Sequence, residues 1–121
     1  MKQFCLGTVL LATTILCTAA PGAPARKTPD GILANVSGMT LYTFDMDMAG
    51  KSNCNGACAA LWPPELAGAD ARPEGELSII ERDDGSKQWA YRGKPVYTFS
   101  KDLKAGDKAG DNVKNVWHVV Q

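Results

Sequence analysis

Hydrophobic and polar residues alternate in several short stretches of the chain, and alternation of this kind is typical of β-strands that bury one face. Glycine and proline turn signals lie between these stretches, and Asp84-Gly85 is a hairpin signal because glycine tolerates a positive φ. The pattern therefore predicts a mainly antiparallel, all-β protein. The six predicted strands are Ile32–Val36, Leu41–Phe44, Leu77–Arg82, Lys87–Tyr91, Val96–Phe99 and Asn115–Val120.

A ten-residue segment occurs twice in the chain. Residues 38–47 and 93–102 carry Gly, Tyr, Thr, Phe and Asp at the same five positions, with a constant offset of 55 residues. An internal repeat indicates two related halves, and we place the repeats at about 30–82 and 83–121, each built as strand, strand, loop and strand. Two three-stranded repeats with pseudo-twofold symmetry predict a small sandwich or closed barrel.

The long loop of the first repeat is the place where a helix is expected. Ala57–Leu61 has the composition of a helical turn or two, whereas Pro63-Pro64 and Pro73 argue against anything longer. Pro95 begins a predicted strand and favours a sheet edge, since proline has no backbone N–H to donate. Aromatic side chains at alternate strand positions are expected to form one shared core. They are Tyr42 and Phe44, Tyr97 and Phe99, Trp89 with Tyr91, and Trp117.

The first 25 residues have the composition of a secretory signal peptide. A positive charge precedes an uncharged apolar run from Phe4 to Leu16, and small residues follow as far as Ala25. The apolar run is shorter than the ~20 residues that cross a bilayer, so we expect no transmembrane span. Cleavage after Ala25 would leave residues 26–121 as a single domain in the periplasm or outside the cell. A lipid anchor at Cys17 is the alternative, which Leu16 at the preceding position disfavours.

The charge of the chain is balanced, with 13 basic and 13 acidic side chains. This balance gives no electrostatic reason to expect a nucleic acid as a partner. Several binding and catalytic motifs are also incomplete. Gly50-Lys51-Ser52 has Asp45 where a phosphate-binding loop needs glycine, and Gly56 stands where an EF-hand needs its bidentate glutamate. The sequence contains no G-x-S-x-G nucleophile elbow.

The repeated motif Tyr-Thr-Phe-x-x-Asp is the most distinctive candidate site. Its members are Tyr42, Phe44 and Asp47 in the first repeat and Tyr97, Phe99 and Asp102 in the second. An aspartate at the end of a strand accepts backbone N–H groups and fixes the turn. A duplicated fold needs duplicated turns, so we favour a structural role. The alternatives are a carboxylate binding site, or an enzyme in which both aspartates lie in an open cleft with raised pKa values.

Cys54 and Cys58 are the only cysteines in residues 26–121, and an even number suits an oxidising compartment. A disulfide between them would fix the long loop locally, with ~2 kcal/mol from the loss of chain entropy in so short a ring. A metal or redox pair is the alternative. The spacing differs from the C-x-x-C of redox pairs, and His118, the only histidine, is the one residue that could add a strong third metal ligand. We therefore favour the disulfide.

Methionine supplies a different candidate, a periplasmic copper or haem site. Met46 and Met48 form an M-x-M pair with Met39 nearby, and thioethers favour Cu(I) outside the cytosol. His118 would join them only if the fold brings it close. The second repeat has Lys101 where the first has Met46, so the repeat does not preserve the pair. Ordinary core or surface methionines are the favoured interpretation, and no cofactor is predicted.

Taken together, these motifs resemble the bacterial secreted-repeat family, whose members are described as predicted lipoproteins with a Tyr-x-aromatic-x-x-Asp motif. The resemblance covers about residues 30–120. It rests on the two copies of the motif, on Cys54-x-x-x-Cys58 followed by Trp62-Pro63-Pro64, and on the terminal Trp117-x-Val119-Val120. The resemblance implies an exported bacterial protein of two tandem repeats, and it brings no established enzymatic activity. The chain departs from the lipoprotein members at the lipid-attachment motif.

The sequence therefore favours an exported, non-catalytic binding or structural module. Its expected partner is a component of the cell envelope or a small ligand. The alternative is the copper or haem protein that uses Met39, Met46, Met48 and His118.

Overall fold

The computed structural model describes residues 24–121. The predicted signal peptide, 1–25, and the anchoring alternative at Cys17 lie outside these residues, except for Pro24 and Ala25. The described part forms seven short β-strands, one α-helix and one 3-10 turn. The strands are β1 (Ala25–Lys27), β2 (Leu33–Asn35), β3 (Tyr42–Phe44), β4 (Leu77–Glu81), β5 (Lys87–Tyr91), β6 (Lys94–Pro95) and β7 (Trp117–Val119), with helix α1 at Ala57–Leu61 and the 3-10 turn at Val113–Asn115.

Every strand pairing is antiparallel, so the predicted fold class is confirmed. Strand β1 pairs with β2, β3 pairs with β7, and β4, β5 and β6 form a three-stranded sheet in that order. The β3–β7 sheet joins the two repeats, because Thr43 of the first lies opposite His118 of the second. Single bridges, such as that between Tyr42 and Tyr97, connect these sheets with the loops between them.

Two local predictions are confirmed, the hairpin at Asp84-Gly85 and the helical turn at Ala57–Leu61. Gly85 has a φ of 87° and donates its N–H to the carbonyl of Arg82 at 2.9 Å. Asp84 fixes the same turn, since its Oδ1 accepts the N–H of Ser86 at 2.9 Å. Helix α1 has five residues, and nothing helical in residues 24–121 has the length and apolar character needed to cross a membrane.

The predicted strand Val96–Phe99 is wrong. Strand β6 ends one residue before it, and the backbone then bonds to different segments in succession. The N–H of Tyr97 donates to the carbonyl of Tyr42 on β3, whereas that of Thr98 donates to the carbonyl of Pro63 in the first loop. Tyr97 forms only single bridges, to Tyr42 and to Pro64, and no continuous ladder extends along this segment, so it is a junction between elements.

The ends of the chain also differ from the strand prediction. The predicted strand Asn115–Val120 begins too early, since β7 starts at Trp117. Lys114 and Asn115 have φ values of 52° and 58°, which lie outside the β region. Strand β1 is absent from the prediction, because the small residues up to Ala25 are assigned there to the signal peptide.

The buried hydrophobic side chains form two clusters. The aliphatic cluster contains Ala25, Leu33, Leu41, Leu77, Trp89 and Val96. The aromatic cluster contains Tyr42, Cys54, Trp62, Tyr97, Phe99 and Trp117. The prediction of one shared aromatic core is therefore wrong for Trp89 and for Tyr91, which packs against the aliphatic cluster. Trp89 lies on β5 opposite Ile79 of β4, in a sheet that packs against aliphatic side chains.

Ala25 offers a test of where the folded domain begins. It pairs with Asn35 and is 7% exposed within the aliphatic cluster. A buried carbon contributes about 0.8 kcal/mol, so we expect a chain that begins at Pro21 to be about 1 kcal/mol more stable than one that begins at Arg26. Urea unfolding of the two chains measures the difference. A Pro21 chain with Ala25→Gly isolates the methyl group, and equal midpoints for the Pro21 and Arg26 chains would contradict the prediction.

Candidate functional site

Four aromatic rings form a continuous stack inside the aromatic cluster. Its order is Phe44, Trp117, Trp62 and Phe99, with successive ring centroids 4.2, 3.8 and 4.0 Å apart. The interplanar angle between the two central indoles is 1°, so they lie face to face. Aromatic pairs contribute about 0.5–1.5 kcal/mol beyond the area that they bury. The stack is therefore a main source of stability where the two repeats meet.

The stack has the symmetry of the repeat. The 55-residue offset relates Phe44 to Phe99, and it also relates Trp62 to Trp117. The pseudo-twofold axis therefore passes between the two indoles. The alternation pattern misses Trp62, because this residue follows α1 in a loop and not in a strand. The same offset, applied beyond the ten-residue segment, identifies it.

Gly110 is the point where the backbone comes closest to the stack. A Cβ atom at this position would lie 2.6 Å from Cη2 of Trp62 and 3.0 Å from Cδ2 of Phe99. The N–H of Gly110 also donates to the hydroxyl of Tyr42 at 3.2 Å. Glycine is required here because the neighbouring rings leave no room for a Cβ atom. The backbone conformation does not require it, since the φ of Gly110 lies outside the left-handed region.

Each tyrosine of the repeated motif donates to the aspartate of the other repeat. Tyr42 donates to Oδ2 of Asp102 at 2.7 Å, and Tyr97 donates to Oδ2 of Asp47 at 2.6 Å. The second oxygen of each carboxylate accepts a backbone N–H from the loop that follows it, at 2.6 Å in Asp47 and 2.9 Å in Asp102. Hydrogen bonds to a carboxylate are roughly twice as strong as neutral ones. The motif thus ties each loop to the opposite repeat.

Burial shifts the pKa values of both tyrosines and of Asp47. Both tyrosines are fully buried, Asp102 is buried and Asp47 is half-buried. Burial raises the pKa of Tyr42 and of Tyr97 well above the ordinary value, and the bonded carboxylate raises each pKa further. Burial also raises the pKa of Asp47, an effect that the Tyr97 hydroxyl partly offsets. Both oxygens of each carboxylate are already bonded, which argues against the enzyme alternative.

A buried arginine extends the hydrogen-bond network of Tyr97. Arg82 is 6% exposed, and its Nη1 donates to Oγ of Ser52 at 3.0 Å and to Oε1 of Gln88 at 2.8 Å. The same Oγ of Ser52 lies 2.6 Å from the hydroxyl of Tyr97. A buried charge is tolerated when its donors are bonded. The charges of Arg82 and Asp47 therefore lie at opposite ends of one hydrogen-bonded chain.

Cys54 and Cys58 form the predicted disulfide, with their Cα atoms 5.2 Å apart. Cys54 is fully buried, and Nη2 of Arg82 donates to its carbonyl oxygen at 2.7 Å. The disulfide therefore holds the start of α1 beside the buried arginine. The role of Arg82 was not predicted. Its one signal in the sequence is the position of a charged residue in the half-buried strand pattern Leu77–Arg82.

The methionines of the copper or haem alternative lie mostly at the surface. Met46 and Met48 are each 62% exposed, and Met39 is half-buried. Within residues 24–121, no three side chains of His, Cys, Asp or Glu form a group that could hold a metal ion. A copper or haem site at these methionines stays a prediction.

Two adjoining cavities form a trough across β3 and β7. One has a volume of about 330 Å³ and the other of about 210 Å³, and both are lined by Thr43, Asp45, Arg92 and Lys94. His118 lines the larger cavity, and its Nε2 lies 2.8 Å from Oδ2 of Asp45. We refer to these five residues as the polar trough.

The polar trough carries charges of both signs. Arg92 forms an ion pair with Glu76, whereas Lys94 forms no ion pair with any of residues 24–121. Asp45 has a side chain that is 53% exposed, although His118 bonds one of its oxygens. Lys94 and Asp45 therefore offer a donor and an acceptor to a ligand. This arrangement suits a small dipolar molecule or a polar segment of a partner protein.

A protein-family model described as a secreted repeat of unknown function matches the chain twice, over residues 25–65 and 78–121. The two matches cover more than half of the chain. Each contains one tyrosine and one aspartate of the exchanged pairs, together with one phenylalanine and one tryptophan of the stack. No curated protein and no solved structure matches the chain.

The space around Gly110 leads to a prediction for stability. We expect Gly110→Ala to lower the free energy of unfolding by about 1–3 kcal/mol, since the new methyl group must displace the rings of Trp62 and Phe99. Gly68→Ala is the matched control, because no atom lies within 4 Å of a Cβ built there. Urea unfolding measures both variants, and an equal loss in the two would contradict the prediction.

The exchanged tyrosine–aspartate pairs lead to a second prediction. In a double-mutant cycle of Tyr97→Phe with Asp47→Asn, we expect a coupling free energy of about 0.5–3 kcal/mol, because the two groups share a hydrogen bond. Tyr97→Phe with Asp102→Asn is the control, and we expect additivity within about 0.5 kcal/mol there, since these two groups share none. Urea unfolding supplies the values. Equal coupling in both cycles would show that the exchange across the repeats has no special weight.

Proposed function

Because the chain belongs to the family of secreted repeats of unknown function, we propose that it is a non-catalytic binding or structural module that acts in the periplasm or outside the cell. The observation that carries the proposal is the internal use of the repeated carboxylates. Asp47 and Asp102 each accept two hydrogen bonds from the protein itself. Carboxylates that are satisfied in this way support a junction between the repeats rather than an open site for a substrate.

The polar trough is the surface that we assign to the partner, which is an envelope component or a small ligand. Strands β3 and β7 hold Thr43 and His118 side by side, so the floor of the trough is fixed before a partner arrives. A site that is formed in advance loses little conformational entropy on binding. Lys94 and Asp45 supply charges of opposite sign, which favour a partner of mixed polarity.

A copper or haem protein is the second proposal. It is supported by the positions of Met48 and His118, which line the two cavities of one trough. The cavities share Asp45, which is bonded to His118. A thioether and an imidazole together suit copper in an oxidising compartment. Met46 and Met39 would complete the set of donors.

Site-specific photo-crosslinking in the producing cells tests the first proposal. A photoreactive phenylalanine analogue replaces Ala49, which is exposed and lines the smaller cavity, or, as the matched control, Leu103, which is 88% exposed and lies outside the trough. We expect a discrete crosslinked product from position 49 and none from position 103, because the partner contacts the trough. Equal yields from the two positions would contradict the proposal.

Native mass spectrometry of the recovered chain extends the test to small ligands. We expect a bound molecule that Lys94→Glu releases, since the change reverses a charge in the trough. An adduct of copper or haem that survives Lys94→Glu, and that is lost with Met46→Leu and Met48→Leu, would favour the second proposal. A chain with neither crosslink nor adduct would overturn both.

A further inference from the structure

Four side chains of the aromatic cluster and the two aspartates that are bonded to them form a symmetric array. Its order is Asp102, Tyr42, Trp62, Trp117, Tyr97 and Asp47. The hydroxyls lie 2.7 and 2.6 Å from the two carboxylates, each phenol meets an indole edge to face at 5.3 or 5.2 Å, and the indoles stack at 3.8 Å. We propose that this array is a one-electron relay, which takes an oxidising equivalent from a radical oxidant and holds it as a neutral tyrosyl radical.

The chemistry of the residues supports this activity. Indoles and phenols are, after free thiols, the protein groups that lose one electron most readily. The only thiols in residues 24–121 are joined in the Cys54–Cys58 disulfide, so they do not compete. A phenol must lose its proton as it loses its electron, because the oxidised phenol is a strong acid. Each tyrosine in the array already directs its proton at a carboxylate oxygen.

The proposed step is balanced within the protein. A one-electron oxidant of the radical class removes an electron from Trp117, which leaves the indole radical cation and the reduced oxidant. Tyr97 then passes an electron to Trp117 and its phenolic proton to Oδ2 of Asp47, across 2.6 Å. The products are intact Trp117, a neutral Tyr97 radical and a neutral Asp47 carboxyl group. The pair of Tyr42 and Asp102 performs the same step through Trp62.

The surroundings of the array favour a persistent radical. Tyr42 and Tyr97 have no exposed surface, and the two tryptophans are 2% and 4% exposed, so solutes do not reach the radical directly. The proton that is transferred to Asp47 stays within hydrogen-bond distance and can return. Tyr91 lacks this protection, since it lies outside the array and bonds to the exposed Glu76.

Two substitutions are enough to remove the tyrosine and the tryptophan that lie outside the array, which gives the background variant for the experiment. The chain contains three tyrosines and three tryptophans, and the array uses two of each. Tyr91→Phe with Trp89→Phe therefore leaves the tyrosines and tryptophans of the array as the only ones in the chain. If Trp89→Phe does not fold, Tyr91→Phe alone suffices, because any tyrosyl signal then comes from Tyr42 or Tyr97.

Flash-quench oxidation of the background variant tests the relay. A laser flash generates tris(bipyridine)ruthenium(III), and transient absorption and electron paramagnetic resonance follow the protein radicals. We expect an indole radical that decays into a neutral tyrosyl radical. We expect Asp47→Asn together with Asp102→Asn to slow tyrosyl formation by about tenfold, because the carboxylates act as general bases for the phenolic protons. Tyr42→Phe with Tyr97→Phe should leave only the indole radical.

The controls separate this activity from a purely structural role. Urea unfolding of every variant shows that it is folded under the assay conditions, and the single changes Asp47→Asn and Asp102→Asn replace the double variant if that one unfolds. The proposal is overturned if the oxidised background variant forms no tyrosyl radical. It is also overturned if tyrosyl formation is equally fast without the carboxylates, or if the wild-type radical resides on Tyr91 alone.

Discussion

The structure depends on the exchange of two hydrogen bonds between the repeats. Tyr42 and Tyr97 are fully buried, and each reaches a carboxylate that belongs to the other half. A half that folded alone would bury a phenol without its acceptor and would leave a carboxylate loop without its anchor. A buried polar group that lacks its partner costs about 1–3 kcal/mol. Each repeat therefore completes the other. The aromatic stack, which the pseudo-twofold axis crosses between the two indoles, closes the same junction with apolar contacts.

The two ends of this junction are built differently, although their motif is the same. The hydroxyl of Tyr97 meets the side chain of Ser52, which leads to Arg82, whereas that of Tyr42 meets the backbone N–H of Gly110. The Tyr97 end is thus a polar network that contains the buried charge of Arg82. At the Tyr42 end, the backbone of Gly110 lies close to the aromatic rings. The positive charge of Arg82 lowers the pKa of Asp47, against the larger effect of burial. Duplication preserved the bond and left its surroundings free to diverge.

The sequence predicts those parts of the fold that depend on local pattern. Lys87–Tyr91 lies within one sheet, and the strand has the predicted bounds. The disulfide and the helical turn follow from residues only a few positions apart. The strand prediction from alternation is wrong at Val96–Phe99, because that segment bonds to residues from distant parts of the chain. The local sequence pattern does not reveal such partners. The exchange of Tyr97 with Asp47 is of the same kind, since 50 residues separate the two.

The polar trough is also assembled from residues that are distant in the sequence, but most of them differ from the matched residues of the other repeat. The 55-residue offset relates Lys94 to Met39. The same offset relates Asp45 to Ser100 and His118 to Pro63, so these three groups of the trough do not recur at the matched positions.

The residues at the junction between the repeats, in contrast, are identical in the two halves. Tyrosine, phenylalanine, tryptophan and aspartate recur there at matched positions. Two halves that share one core must both keep the groups that close it, so identity between them marks structure. Positions outside this constraint are free to differ, and the charged groups of the trough are among them. A symmetric frame with a polar trough on one side fits the partner that we propose, which is one for each chain and binds at the trough rather than at the repeated motif.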